Sequence, residues 1–138
     1  MTDEMSVLLV DDEKDFLEVL TKRLRKRKLR LVAANSGAEA IRTVQDTPID
    51  VVVLDMRMPQ MDGLQTLREI KQINPGVEVI MLTGHANVET AVQGMELGAF
   101  DYLIKPVDID ELLYKLQDAF KKKAMSEHSS GKTGLVND

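Results

Sequence analysis

Val51-Val52-Val53-Leu54-Asp55-Met56-Arg57-Met58-Pro59-Gln60-Met61-Asp62-Gly63 decides how the rest of the chain is read. Three β-branched residues and a leucine run straight into a carboxylate, and a Pro and an Asp-Gly pair then mark a loop. A continuous apolar run bounded by turn signals predicts a strand buried on both faces, as in a parallel sheet. Asp55 then stands where the strand ends, at the edge where open α/β sheets bind ligands. An Asp near a turn also has a plain use, accepting hydrogen bonds from loop amides. The flanking segments decide between the two.

Upstream, Ser6-Val7-Leu8-Leu9-Val10 predicts a first strand, and it too ends in carboxylates, Asp11, Asp12 and Glu13. Asp12 or Glu13 suits the start of the helix that follows, where Phe16, Leu17, Leu20 and Leu24 recur at helical spacing. Leu29 to Ala34 predicts a short second strand. Ala38, Ala40, Ile41 and Val44 then mark a helix stopped by Thr47-Pro48. Downstream of Gly63, Leu64, Leu67, Ile70 and Ile73 share a helical face, and Asn74-Pro75-Gly76 is a strong stop. Val77 to Leu82 is a fourth strand landing on Thr83-Gly84. A fourth helix carries Val88, Ala91, Val92, Met95 and Leu97 and closes at Gly98. Phe100 to Ile104 is a fifth strand ending on Lys105-Pro106, and Leu112, Leu113, Leu116, Ala119 and Phe120 stripe a last helix.

Alternation of this kind implies an α/β fold: a doubly wound, five-stranded parallel sheet with right-handed crossovers and helices on both faces. The pattern occupies residues 5–123. Residues 124–138 are polar and contain Gly and Ser, the composition of a disordered tail.

Composition narrows the function. At 138 residues, 43% hydrophobic and 30% charged, the chain reads as one ordinary globular domain with a real core. No cysteine is present, which excludes disulfides and thiolate metal sites. The apolar runs are strand-sized and the amino terminus lacks a signal pattern, so no membrane association is expected and cytoplasm is the default. A net charge of −5 disfavours direct contact with nucleic acid. Lys22, Arg23, Arg25, Lys26, Arg27, Lys28 and Arg30 crowd one segment and read as a solvated helix end, with docking of an acidic partner the rarer use.

In a parallel sheet the strand ends lie on one edge, which brings Asp11, Asp12, Asp55, Thr83 and Lys105 toward one crevice. Clustered carboxylates repel and need a cation. All-oxygen ligands without His or Cys favour a hard ion, Mg²⁺ first, which keeps several waters and binds phosphate. Lys105 suits phosphoryl oxygens as a point charge and Thr83 as a hydroxyl donor. A carboxylate can attack phosphorus to form an aspartyl phosphate, and Asp55, on the central strand, is the sensible nucleophile, with Asp11 and Asp12 left to hold the metal. Met56, Met58, Met61 and Met81 read as adaptable packing, not ligands. His85 and His128 are too few for a metal site.

Val10-Asp11-Asp12-Glu13, Asp55-x-x-Met58-Pro59-x-Met61-Asp62-Gly63, Leu82-Thr83-Gly84 and Lys105-Pro106 together resemble the receiver domain of bacterial two-component response regulators. The resemblance implies a flavodoxin-like receiver fold with strand order 2-1-3-4-5. It implies that Asp55 takes phosphate from a sensor histidine kinase or a histidine phosphotransfer protein. Mg²⁺, with Mn²⁺ as a substitute, would be held by Asp11, Asp12, Asp55 and the backbone carbonyl of Arg57. Thr83 and Lys105 would contact the phosphoryl group, the Lys105–Pro106 bond would be cis, and Gly63 would be a structural position. Thr83 and Tyr102 would switch the face made by helix four, strand five and helix five. That face would serve a downstream protein target or a linked output domain, and a phosphorylation-dependent dimer fits the same pattern. Arg57 and His85, two positions after Asp55 and Thr83, would flank the path of hydrolytic water and tune the lifetime of the phosphate, with Gly84 leaving the approach open.

Three rivals are weaker. A phosphatase with an aspartate nucleophile, of the haloacid-dehalogenase type, would carry a second Asp where Arg57 stands, so turnover of external substrates is not expected. A flavin module would want a Ser/Thr/Gly-rich phosphate loop where Asp11-Asp12-Glu13 would repel the ligand. A receiver reduced to a scaffold would not need the acidic site.

Overall fold

The computed structural model describes residues 4–25, 27–57, 62–84 and 88–137, with side chains described through Ser126. Strand and helix alternate as β1 (Met5–Val10), α1 (Lys14–Arg25), β2 (Leu29–Ala34), α2 (Gly37–Asp46), β3 (Val51–Asp55), α3 (Gly63–Ile73), β4 (Glu78–Thr83), α4 (Val88–Glu96), β5 (Asp101–Ile104) and α5 (Ile109–Asn137). All neighbouring strands pair in parallel, in the order β2-β1-β3-β4-β5. β3 is central, which is why its four apolar residues are all buried.

Successive side chains of a strand point to opposite faces, and two apolar layers result. Leu8, Val10, Val52, Leu54, Val79 and Met81 pack with α2, α3 and α4 through Ala40, Val44, Leu67, Ile70 and Ala91. Val7, Leu9, Val51, Val53, Ile80, Leu82 and Leu103 pack on the other face with Leu17, Leu20 and Leu24 of α1 and Leu112, Leu116 and Ala119 of α5.

The helix starts follow from local chemistry. Ser36 caps α2 by accepting from the Glu39 amide, while the Glu39 carboxylate accepts from the Asn35 amide. Asp62 caps α3 through the Gln65 amide at 2.7 Å. Gly98, at φ +104°, turns the chain out of α4 in a conformation that a side chain would strain. Lys22, Arg23, Arg25, Arg27, Lys28 and Arg30 lie exposed at and after the end of α1, with Lys22 paired to Glu18 and Arg30 to Glu4, and Lys26 lies outside the described residues.

The backbone of α5 stays helical through 124–137, the segment whose composition suggested a disordered tail. Lysine, alanine and methionine at 121–125 favour helix, and the apolar stripe fades there because Lys121 to Ser126 face solvent apart from the half-buried Lys123. Lys122 pairs with Glu78 at 3.6 Å and Lys123 with Asp50 at 3.4 Å. Both pairs tie α5 to the amino-terminal edge of the sheet.

Candidate functional site

Strand register sets the opposite edge. Val10 is level with Leu54, Asp55 with Leu82, and Thr83 with Ile104. The residues just past those levels, Asp11 and Lys105, therefore fall beside Asp55. The Asp11, Asp12 and Asp55 carboxylates each offer an oxygen within 4.8 Å of the others. Asp11 and Asp55 are buried and Asp12 is exposed.

The two buried anions have specific partners. Asp11 accepts from the Glu13 amide at 2.9 Å through Oδ1 and from Lys105 Nζ at 3.0 Å through Oδ2. Asp55 Oδ1 accepts from the Arg57 amide at 3.2 Å and lies 3.6 Å from Lys105 Nζ. The backbone also holds the edge together, with Met56 N–H on the Leu82 carbonyl and Lys105 N–H on the Thr83 carbonyl. The Lys105–Pro106 peptide is cis.

One ammonium does not balance three carboxylates. Burial, with the negative charge of Asp11 beside it, pushes the Asp55 carboxyl up to about 6, against the pull of Lys105 and the Arg57 amide. Burial alone would lower the Lys105 ammonium. The hydrogen bond that it donates to Asp11 and the charges of Asp55, Asp11 and Glu13 outweigh it and raise the group above its ordinary value. An oxygen-only cluster with excess negative charge fits a hard divalent cation, for which Asp11, Asp12 and Asp55 are the carboxylate ligands to hand.

Above the cluster opens a cleft of about 610 Å³ lined by Asp12, Glu13, Asp55, Arg57, Gly84 and Lys105. Arg57 is exposed at its rim. Thr83 is buried and outside that lining, with its hydroxyl 3.4 Å from the Gly84 carbonyl oxygen. The reason is strand parity. Asp11 and Asp55 follow Leu9 and Val53 toward the α1–α5 layer, whereas Thr83 follows Met81 toward the α2–α4 layer. Tyr102, level with Met81, is half-buried against that same layer. Thr83 and Tyr102 thus share one face of the sheet, and Asp11, Asp55 and Lys105 share the other.

Gly63 backs onto the site, and a Cβ there would stand 2.6 Å from Met56 Cα, the residue after Asp55. Met56 and Met81 are buried. Met58, Met61 and His85 lie outside the described residues, and of His128 only the helical backbone is described. Two participants were missed as site residues. Glu13 lines the cleft, and Phe16 carries Lys105 Nζ 4.5 Å from its ring centroid. Phe16 sits at core-like spacing in α1, so periodicity hid its second contact.

The sequence of residues 7–117 matches the family model described as the response regulator receiver domain. The chain belongs to that family. Among curated relatives, the receiver is 42% identical over 117 residues to the transcriptional regulatory protein ZraR of Escherichia coli K12, covering 85% of this chain and 26% of the relative. It is 38% identical over 130 residues to the transcriptional regulatory protein GlrR of the same strain, covering 94% of this chain and 29% of that one. The receiver thus spans less than a third of either relative. A response regulator receiver domain from Clostridium thermocellum superposes with a TM-score of 0.84 at 36% identity, covering 88% of this chain and 98% of its own. NtrX from Brucella abortus, in complex with ADP, gives 0.87 at 30% identity over 93% of this chain and 30% of its own. Among the described residues no helix is long and apolar enough to cross a membrane. Neither the family nor the relatives indicate an enzyme that turns over a separate substrate.

Proposed function

We propose that this receiver accepts a phosphoryl group on Asp55 and thereby changes the surface formed by α4, β5 and α5. The observation that carries the reading is the Asp55 carboxylate itself, at the end of the central strand, between Asp11 and Lys105 and open to the cleft. Asp55 attacks the phosphorus of a phosphohistidine. The new O–P bond forms as the P–N bond breaks, and the imidazole nitrogen leaves with the electron pair and takes a proton from solvent. Lys105 steadies the moving charge and Gly84 leaves the donor's approach free of a side chain. The carboxylates of Asp11, Asp12 and Asp55, with the Arg57 carbonyl, are the residues to hold Mg²⁺, or Mn²⁺ in its place. Bound there, the ion would neutralise the anions that otherwise repel a phosphoryl group.

The donor is a sensor histidine kinase or a histidine phosphotransfer protein. Thr83 would contact the phosphoryl group by crossing from the α2–α4 side of the strand end, and Tyr102 on that same side would repack when it does. Val88, Val92, Met95 and Tyr114 are exposed apolar or amphipathic groups on α4 and α5, suited to a protein target, a linked output domain or a second receiver. The relatives are transcriptional regulators, and a linked output domain is the reading they support; the acidic receiver itself would leave nucleic acid to such a domain. We place the receiver unit at residues 5–123, since Lys123 is the last described side chain of α5 paired to the rest of the fold, and we place its work in the cytoplasm.

Intact mass after incubation with phosphoramidate tests the reading. One phosphoryl group should add to the wild type in Mg²⁺ buffer, and none with chelator or in Asp55→Asn. A mass gain that persists in Asp55→Asn sinks the assignment.

A further inference from the structure

Lys105 is held from three directions. Asp11 Oδ2 takes a hydrogen bond at 3.0 Å, Asp55 Oδ1 stands at 3.6 Å, and the Phe16 ring lies beneath with its centroid at 4.5 Å. The three partners come from the residue after β1, the end of β3 and α1, so the ammonium ties α1 to the carboxylate edge. Phe16 is half-buried on the α1–α5 layer. Its ring also belongs to the wall of a groove of about 630 Å³ that is mostly apolar but is lined as well by Glu13, Arg23 and Lys105 itself.

We propose that Phe16 is a positioning residue for the phosphoryl transfer, fixing the Lys105 ammonium over the carboxylates without using any of its hydrogen-bond donors. The physics favours a ring in this place. An ammonium has three N–H donors, and the oxygens of Asp11, Asp55 and an incoming phosphoryl group could use all of them. A fourth polar anchor would compete with the phosphoryl oxygens. An aromatic face attracts the cation through its quadrupole, is indifferent to rotation about Cε–Nζ, and keeps water off one side. A lysine stem has four rotatable bonds, so an anchor near its tip removes freedom that would otherwise be lost at the transition state. An aliphatic side chain of the same bulk would fill the groove wall and supply none of this.

The inference rests on Asp55 being the acceptor, and the test separates the two. Lys105 ε-methylene proton resonances of the full chain are assigned by NMR without phosphate. Stacked over the Phe16 face they should lie upfield of those of the exposed lysines, keep that shift in Phe16→Tyr, and lose it in Phe16→Leu. Phosphorylation by phosphoramidate in Mg²⁺ should slow about three- to tenfold in Phe16→Leu, the range a cation–π contact of this class commands. It should stay within about twofold of wild type in Phe16→Tyr. In a Lys105→Ala background Phe16→Leu should add no further slowing, because the ring acts through the ammonium. A wild-type Lys105 without the upfield shift overturns the proposal. So does a Phe16→Leu protein that phosphorylates at the wild-type rate, or one that slows Lys105→Ala by the same factor. A wild type that takes no phosphate on Asp55 overturns the acceptor reading and the role in transfer with it, while the resonance still reports the ring contact.

Discussion

Gly94 of α4 lies so close over Met81 of β4 that a Cβ on the glycine would overlap the thioether, 2.7 Å from Cε and nearer still to Sδ. Met81 is fully buried, so its side chain has little room to yield. A glycine in a helix interior gives up about 1 kcal/mol of propensity relative to alanine. Overpacking a closed core costs about 1–3 kcal/mol. Gly94→Ala should therefore be net destabilising, by on the order of 1 kcal/mol in urea unfolding. In a Met81→Ala background the same change should become neutral or stabilising. Equal stability of Gly94→Ala and wild type would show that the Met81 thioether repacks at little cost.

Gly63→Ala should be the worse of the two glycine changes. The atom it would meet is backbone, Met56 Cα at 2.6 Å, and backbone cannot rotate away. The same measurement ranks them, and a milder effect at Gly63 would contradict the close approach.

Protonation of Asp55 should leave a mark on stability in metal-free protein. Its folded value of about 6 lies above the ordinary carboxylate range near 4. Between those values the folded state binds more protons than the unfolded state, so stability falls as pH rises through the window. The wild type should lose on the order of 2 kcal/mol relative to Asp55→Asn between about pH 4 and pH 7. Mg²⁺ competes with the proton and should raise the melting temperature more at pH 7 than at pH 5. A wild-type-minus-Asn difference that is flat with pH would count against the raised value.

Glu78 and Lys122 make a similar claim at the opposite edge. Glu78 is buried, its Oε1 has no hydrogen-bond partner, and Lys122 Nζ stands 3.6 Å away. Burial lowers the nearby Lys71 ammonium, which the charge of Glu78 partly restores. Removing Lys122 leaves the carboxylate with less compensation, but the lysine is itself half exposed, so Lys122→Ala should destabilise by only about 1 kcal/mol. Glu78→Gln in the Lys122→Ala background should recover most of it. Additive losses in the double variant would mean the pair is not coupled.

Arg57 sits exposed on the rim of the cleft with its amide on Asp55. A long cation there can pair with phosphoryl oxygens and block in-line water. Arg57→Ala should shorten the lifetime of the phosphorylated protein severalfold, measured as its decay in Mg²⁺ buffer. Decay at the wild-type rate or slower would refute shielding.

Much of this was legible in the sequence because it depends on short intervals. The runs Val7–Val10, Val51–Leu54 and Val79–Leu82, and helical stripes such as Leu17, Leu20 and Leu24, reported strand and helix directly, since an unbroken apolar run and a period of 3.6 are both local. Once the strands are parallel, every strand end falls on one edge. The order of the elements therefore brings Asp11, Asp12, Asp55 and Lys105 together.

The tertiary structure decided what depends on register and crossing geometry. Thr83 and Lys105 end neighbouring strands, yet parity turns the hydroxyl toward the α2–α4 layer and the ammonium toward α1. Lys105 meets Asp11 across a separation of 94 residues, Phe16 of α1 meets Lys105 just past the end of β5, and Glu78 meets Lys122 only because α5 crosses the base of the sheet. None of these contacts leaves a periodic trace. Which segments are strands and helices, and which chemistry their ends carry, resides in neighbours along the chain. Which side chains touch was decided by how five strands stack in register and how the helices lie across them, a property of the packed whole.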